Sequence, residues 1–281
     1  MAVIESSVVP SNRLPLHRVA LPGTRALTVL VAFDAGARNE RADENGMAHF
    51  LEHLVFKGGE KYPTYKEINE TAERLGGVLN AYTSHDVVAF HITVRAESAA
   101  AAIDLLTDFV ARPRIDPDEL ERERGVVIQE INRAYDQPST VAEYLIDRAA
   151  FGEHPLGRTV LGPEENLRSF TREGIVAFRE RRWSGRRGGA FLVGNLDHLP
   201  DTGALEELFG RFPALPDPDG YEPACAMALS SAFSSSSRVC APTKRVSPIQ
   251  MVGSAKPPAA LNSSRVLRPS SCIERFCMRQ K

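Results

Sequence analysis

His49-Phe50-Leu51-Glu52-His53 sets two imidazoles four residues apart, with a carboxylate directly before the second. On a helix, positions i and i+4 share a face, so His49 and His53 can hold one ion between them. Two nitrogen ligands on a rigid helix suit zinc, which takes such ligands in a tetrahedral site. Glu52 projects to the flank of that face. There it can reach a water on the metal and serve as general base. The five-residue pattern arises by chance in roughly one chain in a hundred of this composition. A surface helix with two solvated histidines and a capping acid has the same pattern, so the flanking sequence must decide.

The elements that would position these residues follow from period and punctuation. Residues 16–21 and 26–33 read as strands joined by Pro22-Gly23. Residues 46–56 read as a helix stopped by Gly58-Gly59. Thr64 starts a second helix, with Glu67 completing a capping box, and Gly76-Gly77 ends it. Residues 78–84 and 87–95 form paired strands with a tight turn at His85-Asp86. Helices are predicted over 98–111, over 118–135 with Pro117 at its start, and over 139–150. A long loop is expected over 152–165, then a helix over 171–183, a strand over 189–196 and a short helix over 201–209. This order implies an α+β fold: one mixed sheet with helices packed on it, spanning about residues 15–215.

Composition narrows the function classes. Of 281 residues, 34 are Lys or Arg and 36 are Asp or Glu, a net charge of −2 that argues for neither a nucleic-acid partner nor a membrane. No apolar run is long enough to span a bilayer, and the first residues lack the basic and apolar regions of a secretory signal. The balance hides an asymmetry. Residues 1–224 hold 25 bases against 35 acids, whereas residues 225–281 hold nine against one, Glu274. All four cysteines, Cys225, Cys240, Cys272 and Cys277, lie in the latter segment. The cysteine-free body has no disulfide framework, so a reducing compartment, the cytoplasm, is the expectation.

Four stretches carry a resemblance. Gly46-Met-Ala-His49-Phe-Leu-Glu-His53-Leu-Val-Phe-Lys-Gly58 closely resembles the zinc helix of the pitrilysin, insulinase and mitochondrial processing peptidase family, whose motif is the inverted form of the zincin pattern. Residues 76–84, 121–130 and 154–166 resemble that family's next three signatures, in the family's order and spacing. The resemblance implies the catalytic half of a metalloendopeptidase that takes Zn2+ and hydrolyses peptides or small unfolded polypeptides. It implies Glu130 as the third ligand, a choice that the sequence alone could not make among 23 glutamates. It also implies that Glu123 supports catalysis, although by pattern alone Glu123 reads equally well as a solvated charge. The two lie seven residues apart, so both face one way on a helix.

The strand Leu79-Asn80-Ala81-Tyr82-Thr83 corresponds in the family to a sheet edge on which an extended peptide pairs. Asn80, Ala81 and Thr83 are therefore the expected substrate-binding residues. Asn is unfavourable inside a strand, which points to a bond from Asn80 to substrate or to a local bond within the turn. His85, His91 and His154 are isolated and lack the spacing of ligands.

Two departures stand beside the resemblance. Trp183-Ser-Gly-Arg-Arg-Gly-Gly189 replaces a turn that usually contains proline, and is expected to alter only a loop. Residues 225–281 stand where a second homologous half would begin. They are rich in Ser, Arg, Pro and Cys, without the Cys-x-x-Cys pairs of a zinc ribbon. The expectation is a domain over 1–224 and a tail that is disordered or out of frame. A chain of this kind needs a second half or subunit as partner, is expected to self-associate, and has weak activity alone. The alternative is a non-catalytic subunit of a processing-peptidase-type assembly, which captures substrate or serves as structure.

Overall fold

A computed structural model of the protein describes residues 3–214, so the expected boundary at residue 225 and the tail beyond it lie outside the described residues. Six strands form one mixed sheet: β1 (Val3–Val8), β2 (Pro15–Ala20), β3 (Ala26–Phe33), β4 (Val78–Thr83), β5 (Val88–Arg95) and β6 (Gly188–Gly194). Their order is β1-β2-β6-β3-β5-β4. Only the β2–β6 pair is parallel among these neighbours. β3 shows why the sheet is one-sided: Leu27, Val29, Val31 and Phe33 are buried, and the residues between them are half-buried. Alternate side chains point to opposite faces, so one face takes the helices.

The helices are α1 (Met47–Val55), α2 (Tyr65–Arg74), α3 (Ala99–Ala111), α4 (Pro117–Tyr135), α5 (Pro138–Phe151), α6 (Glu164–Ser169), α7 (Arg172–Arg182) and α8 (Thr202–Phe209). α4 starts as its sequence dictates. Pro117 occupies the first turn, and Asp116 accepts from the N–H groups of Asp118 and Glu119 at 2.9 and 3.3 Å. α2 departs from the predicted capping box. Thr64 Oγ1 accepts the N–H of Glu67, but the Glu67 carboxylate takes the Thr64 hydroxyl rather than its backbone N–H.

Aromatic rings meet within the largely aliphatic core between sheet and helices. Trp183 stacks on Phe33 at 5.4 Å and meets Phe90 edge-on at 5.2 Å, and all three rings are buried. Each such ring removes roughly 150–250 Å² from water. The segment expected to alter only a loop thus also supplies a core residue.

Two elements escaped the sequence reading. β1 pairs antiparallel with β2, Ile4 opposite Val19 and Ser6 opposite His17, but its own residues are mostly exposed and show no alternation. α6 falls at the end of the predicted loop. Its six residues are too few to show a helical period, and Arg124 of α4 fixes its end by donating to the carbonyls of Leu167 and Phe170.

Candidate metal centre

α1 is fixed before it carries any chemistry. Glu40, 3% exposed, accepts from the Ala48 N–H at 2.7 Å and from the Gly46 N–H and Asn45 Nδ2 at 3.0 Å. These donors stand at the positive end of the helix, which favours a carboxylate there. Burial nevertheless pushes the Glu40 carboxyl up to about 7, against the hydrogen bonds from Asn45, Ala48 and Gly46. Gly46 has φ +99°, and a Cβ on it would lie 2.5 Å from the Leu161 carbonyl oxygen. Gly162 crosses it there with φ +70°, where a Cβ would lie 2.7 Å from the Gly46 Cα. Only glycine fits at both positions. Asn45 Nδ2 donates to Thr159 O at 3.0 Å and Arg158 to Glu40 O at 3.3 Å, so the 152–165 segment is clipped to the start of α1.

The structure brings His49, His53 and Glu130 together, the first two from α1 and the third from α4. His49 Nε2 and His53 Nε2 lie 3.3 Å apart. Glu130 approaches them with Oε1 at 3.8 Å and Oε2 at 3.5 Å. Ligands about 2.0–2.1 Å from a tetrahedral zinc stand roughly 3.3 Å from one another, so the three atoms fit around one ion. The charge states agree with that. Burial, and then the neighbouring His53, push His49 down to about 3, which keeps it a neutral ligand. Burial pulls His53 down, but Glu123, Glu130 and Glu52 together raise it. Carboxylates that favour a proton at this point favour a metal cation equally.

Around the triad stand three supporting groups. Glu123 Oε1 lies 2.8 Å from His53 Nδ1, which leaves Nε2 facing His49 and Glu130. Lys57 Nζ lies 2.5 Å from Glu123 Oε2. Burial raises the Glu123 carboxyl, yet its bonds to His53 and Lys57 outweigh this and hold it below the usual range. The Thr83 hydroxyl donates to Glu52 Oε2. Burial raises Glu52, opposed by Thr83 and His53 and assisted by Glu130, so this carboxyl is readier than usual to take a proton.

β4, the last strand in the sheet order, runs past this centre. Of its expected binding residues, Asn80 makes the local bond, its Oδ1 accepting from the Ala81 N–H at 2.9 Å. Thr83 faces Glu52 and lines a cleft of about 540 Å³ together with His49, Glu130, Arg133, Tyr144 and Arg158. His85, His91 and His154 lie outside the triad: His85, which also lines the cleft, bonds the Arg158 carbonyl at 2.9 Å, His154 accepts from the Leu156 N–H at 3.2 Å, and His91 faces Asn80 across the β4–β5 ladder. Sequence reasoning did not single out Glu40, Lys57 or the Thr83–Glu52 bond. Lys57 lies within the quoted motif, but nothing local marks its partner 66 residues on.

The profile of the insulinase family, peptidase family M16, matches residues 18–164. The mitochondrial-processing peptidase subunit beta of Blastocladiella emersonii is 33% identical over 202 residues, 72% of this chain and 43% of that protein. An uncharacterized zinc protease of Mycobacterium leprae is 35% identical over 190 residues, 68% of this chain and 42% of that protein. The chain thus spans less than half the length of these relatives. A crystal structure of a protease from Helicobacter pylori superposes with a TM-score of 0.71 at 25% identity, covering 79% of this chain and 54% of that one.

Proposed function

Because the chain belongs to the insulinase family, peptidase family M16, and joins His49, His53 and Glu130 in one cluster, we propose that it is a zinc-dependent endopeptidase acting on peptides or small unfolded polypeptides. The observation that carries this reading is the triad spaced for a tetrahedral ion with a carboxylate beside it. When bound, zinc supplies Lewis-acid activation of water and of the peptide carbonyl. The chain's own residues do the rest. The edge of β4 offers backbone groups to an extended peptide, which aligns it without selecting one side chain. Thr83 holds one oxygen of Glu52 and leaves the other for the proton of the attacking water. Glu52 then returns that proton to the leaving amine. Glu123 keeps His53 in the tautomer whose Nε2 faces the cluster.

The alternative of a non-catalytic subunit is disfavoured by the same residues, since capture of substrate requires neither a base nor a full ligand set. The partner in this reading is a second homologous half, on a longer polypeptide or a separate subunit. It would cover the peptide and hold it in attacking geometry. The test is metal analysis with a peptidase assay, on this chain alone and mixed with a candidate second half. One equivalent of zinc, weak turnover alone and strong turnover in the mixture are expected. A chain that binds no zinc refutes the reading.

A further inference from the structure

The ligand His53 and the residue Lys57 sit one helical turn apart, at the end of α1 and just beyond it. Both reach across to the same carboxylate on α4. Glu123 divides its two oxygens between them, Oε1 toward His53 Nδ1 at 2.8 Å and Oε2 toward Lys57 Nζ at 2.5 Å. The carboxylate is buried, with its side chain 8% exposed, and Lys57 is 19% exposed with its ammonium 5.2 Å from the Tyr65 ring centroid. This is not a solvated surface pair. A buried carboxylate stripped of its cation loses the partner that offsets its desolvation. Its other oxygen then has little to hold its direction.

The connectivity adds a constraint. The bracket leaves α1 through His53 and returns through Lys57 to the chain just beyond the end of α1, with a residue of α4 between. α4 also bears Glu130, seven residues and two turns further on. Fixing Glu123 against both His53 and Lys57 therefore fixes the rotation of α4 about its own axis, and with it the approach of Glu130 to the two imidazoles.

From this arrangement we infer that Lys57 is a positioning residue for the metal centre, acting through Glu123 to orient His53 and to set the register of α4 against α1. Lys57 touches neither the ion nor the substrate. The inference rests on the zinc reading above, and its test separates the two.

The experiment measures Zn2+ affinity of the full chain by competition with a chromophoric chelator, for wild type, Lys57→Met, Lys57→Arg, Glu123→Gln and the Lys57→Met/Glu123→Gln double variant. Removing the support of a ligand histidine typically costs 10–100-fold in metal affinity, and Lys57→Met is expected to fall in that range. Lys57→Arg keeps a cation able to bond the carboxylate and is expected to stay much nearer wild type. In the Glu123→Gln background, Lys57→Met should cost little more, because the route is already cut. Nitrogen-15 spectra of the metal-free chains add a second readout. They should report His53 protonated at Nδ1 in wild type and mixed between tautomers in Lys57→Met. Lys57→Gln takes the place of Lys57→Met if the latter does not fold. Wild-type affinity in Lys57→Met, or an equal loss with and without Glu123, overturns the inference. A wild type that binds no zinc overturns the zinc reading alone, and the tautomer of His53 then decides the role of Lys57.

Discussion

Of the helices that border the cleft, α1 and α5 are built in opposite ways. α1 buries seven of its nine residues, and its two histidines are part of a packed element. α5 contributes Thr140, Glu143, Tyr144 and Asp147 to the opposite wall and buries none of its residues. Its apolar Leu145 and Ile146 are 65% and 66% exposed. α5 packs against the turn at Pro155–Gly157 and sets the ring of Tyr144 against Tyr135 of α4 at 5.9 Å. Ligand atoms must meet within tenths of an ångström, so they stand on an element that cannot shift without opening the core. A wall that only meets the peptide tolerates a looser element.

The largest effect is expected at Glu52, on the firmly packed α1. Glu52→Gln replaces a proton acceptor with an amide and should lower turnover of the active assembly by roughly 10²–10⁴-fold while zinc content stays unchanged. Turnover and metal analysis on one preparation check this, and wild-type turnover would remove Glu52 from the role of base. The next effect is on stability. Phe50, wholly buried on α1, stacks with Phe170 at 6.4 Å, and Phe50→Ala should cost about 3–5 kcal/mol in chemical denaturation.

Glu40, at the start of α1, makes the stability of this helix depend on pH. Its carboxyl is pushed up to about 7 from 4.5, chiefly by burial. A raised carboxyl pKa stabilises the fold while the group is protonated. That contribution is fully present below about 4.5 and is lost as pH rises through about 7. Glu40→Gln lacks it, so the advantage of wild type over this variant should narrow across that window. Denaturation midpoints at pH 4.5, 6 and 7.5 measure the slope, and an advantage that widened with pH would reverse the sign assigned here. The smallest effect belongs to α5: Leu145→Ser and Ile146→Ser should each change stability by no more than about 0.5 kcal/mol. A loss there comparable to that of Phe50→Ala would mean that α5 is as firmly built as α1.

What could be read from the sequence follows the range of each interaction. The α1 motif, the β4–β5 hairpin and the start of α4 are local patterns, and the structure carries all three where the spacing predicts them. Glu130 lies 77 residues from His53, and only the resemblance picked it out. Glu40 and Lys57 gain their roles from contacts that no periodicity encodes, one with the first N–H groups of a helix and the other with a carboxylate 66 residues further on. β1 stayed hidden for the opposite reason: a strand exposed on both faces leaves no hydrophobic alternation to read.

The crossing of Gly46 and Gly162 has a consequence for how this chain can change over time. Two backbones separated by more than a hundred residues touch where neither can carry a side chain. A substitution at one position cannot be relieved by shrinking the other, because both are already at the minimum. Neutral drift is closed at this pair, and the two loops that meet there must keep their lengths and path together. Insertions in the 152–165 segment will be tolerated only where they leave that contact in place. The start of the helix bearing His49 and His53 thereby inherits the rigidity of a loop remote in sequence.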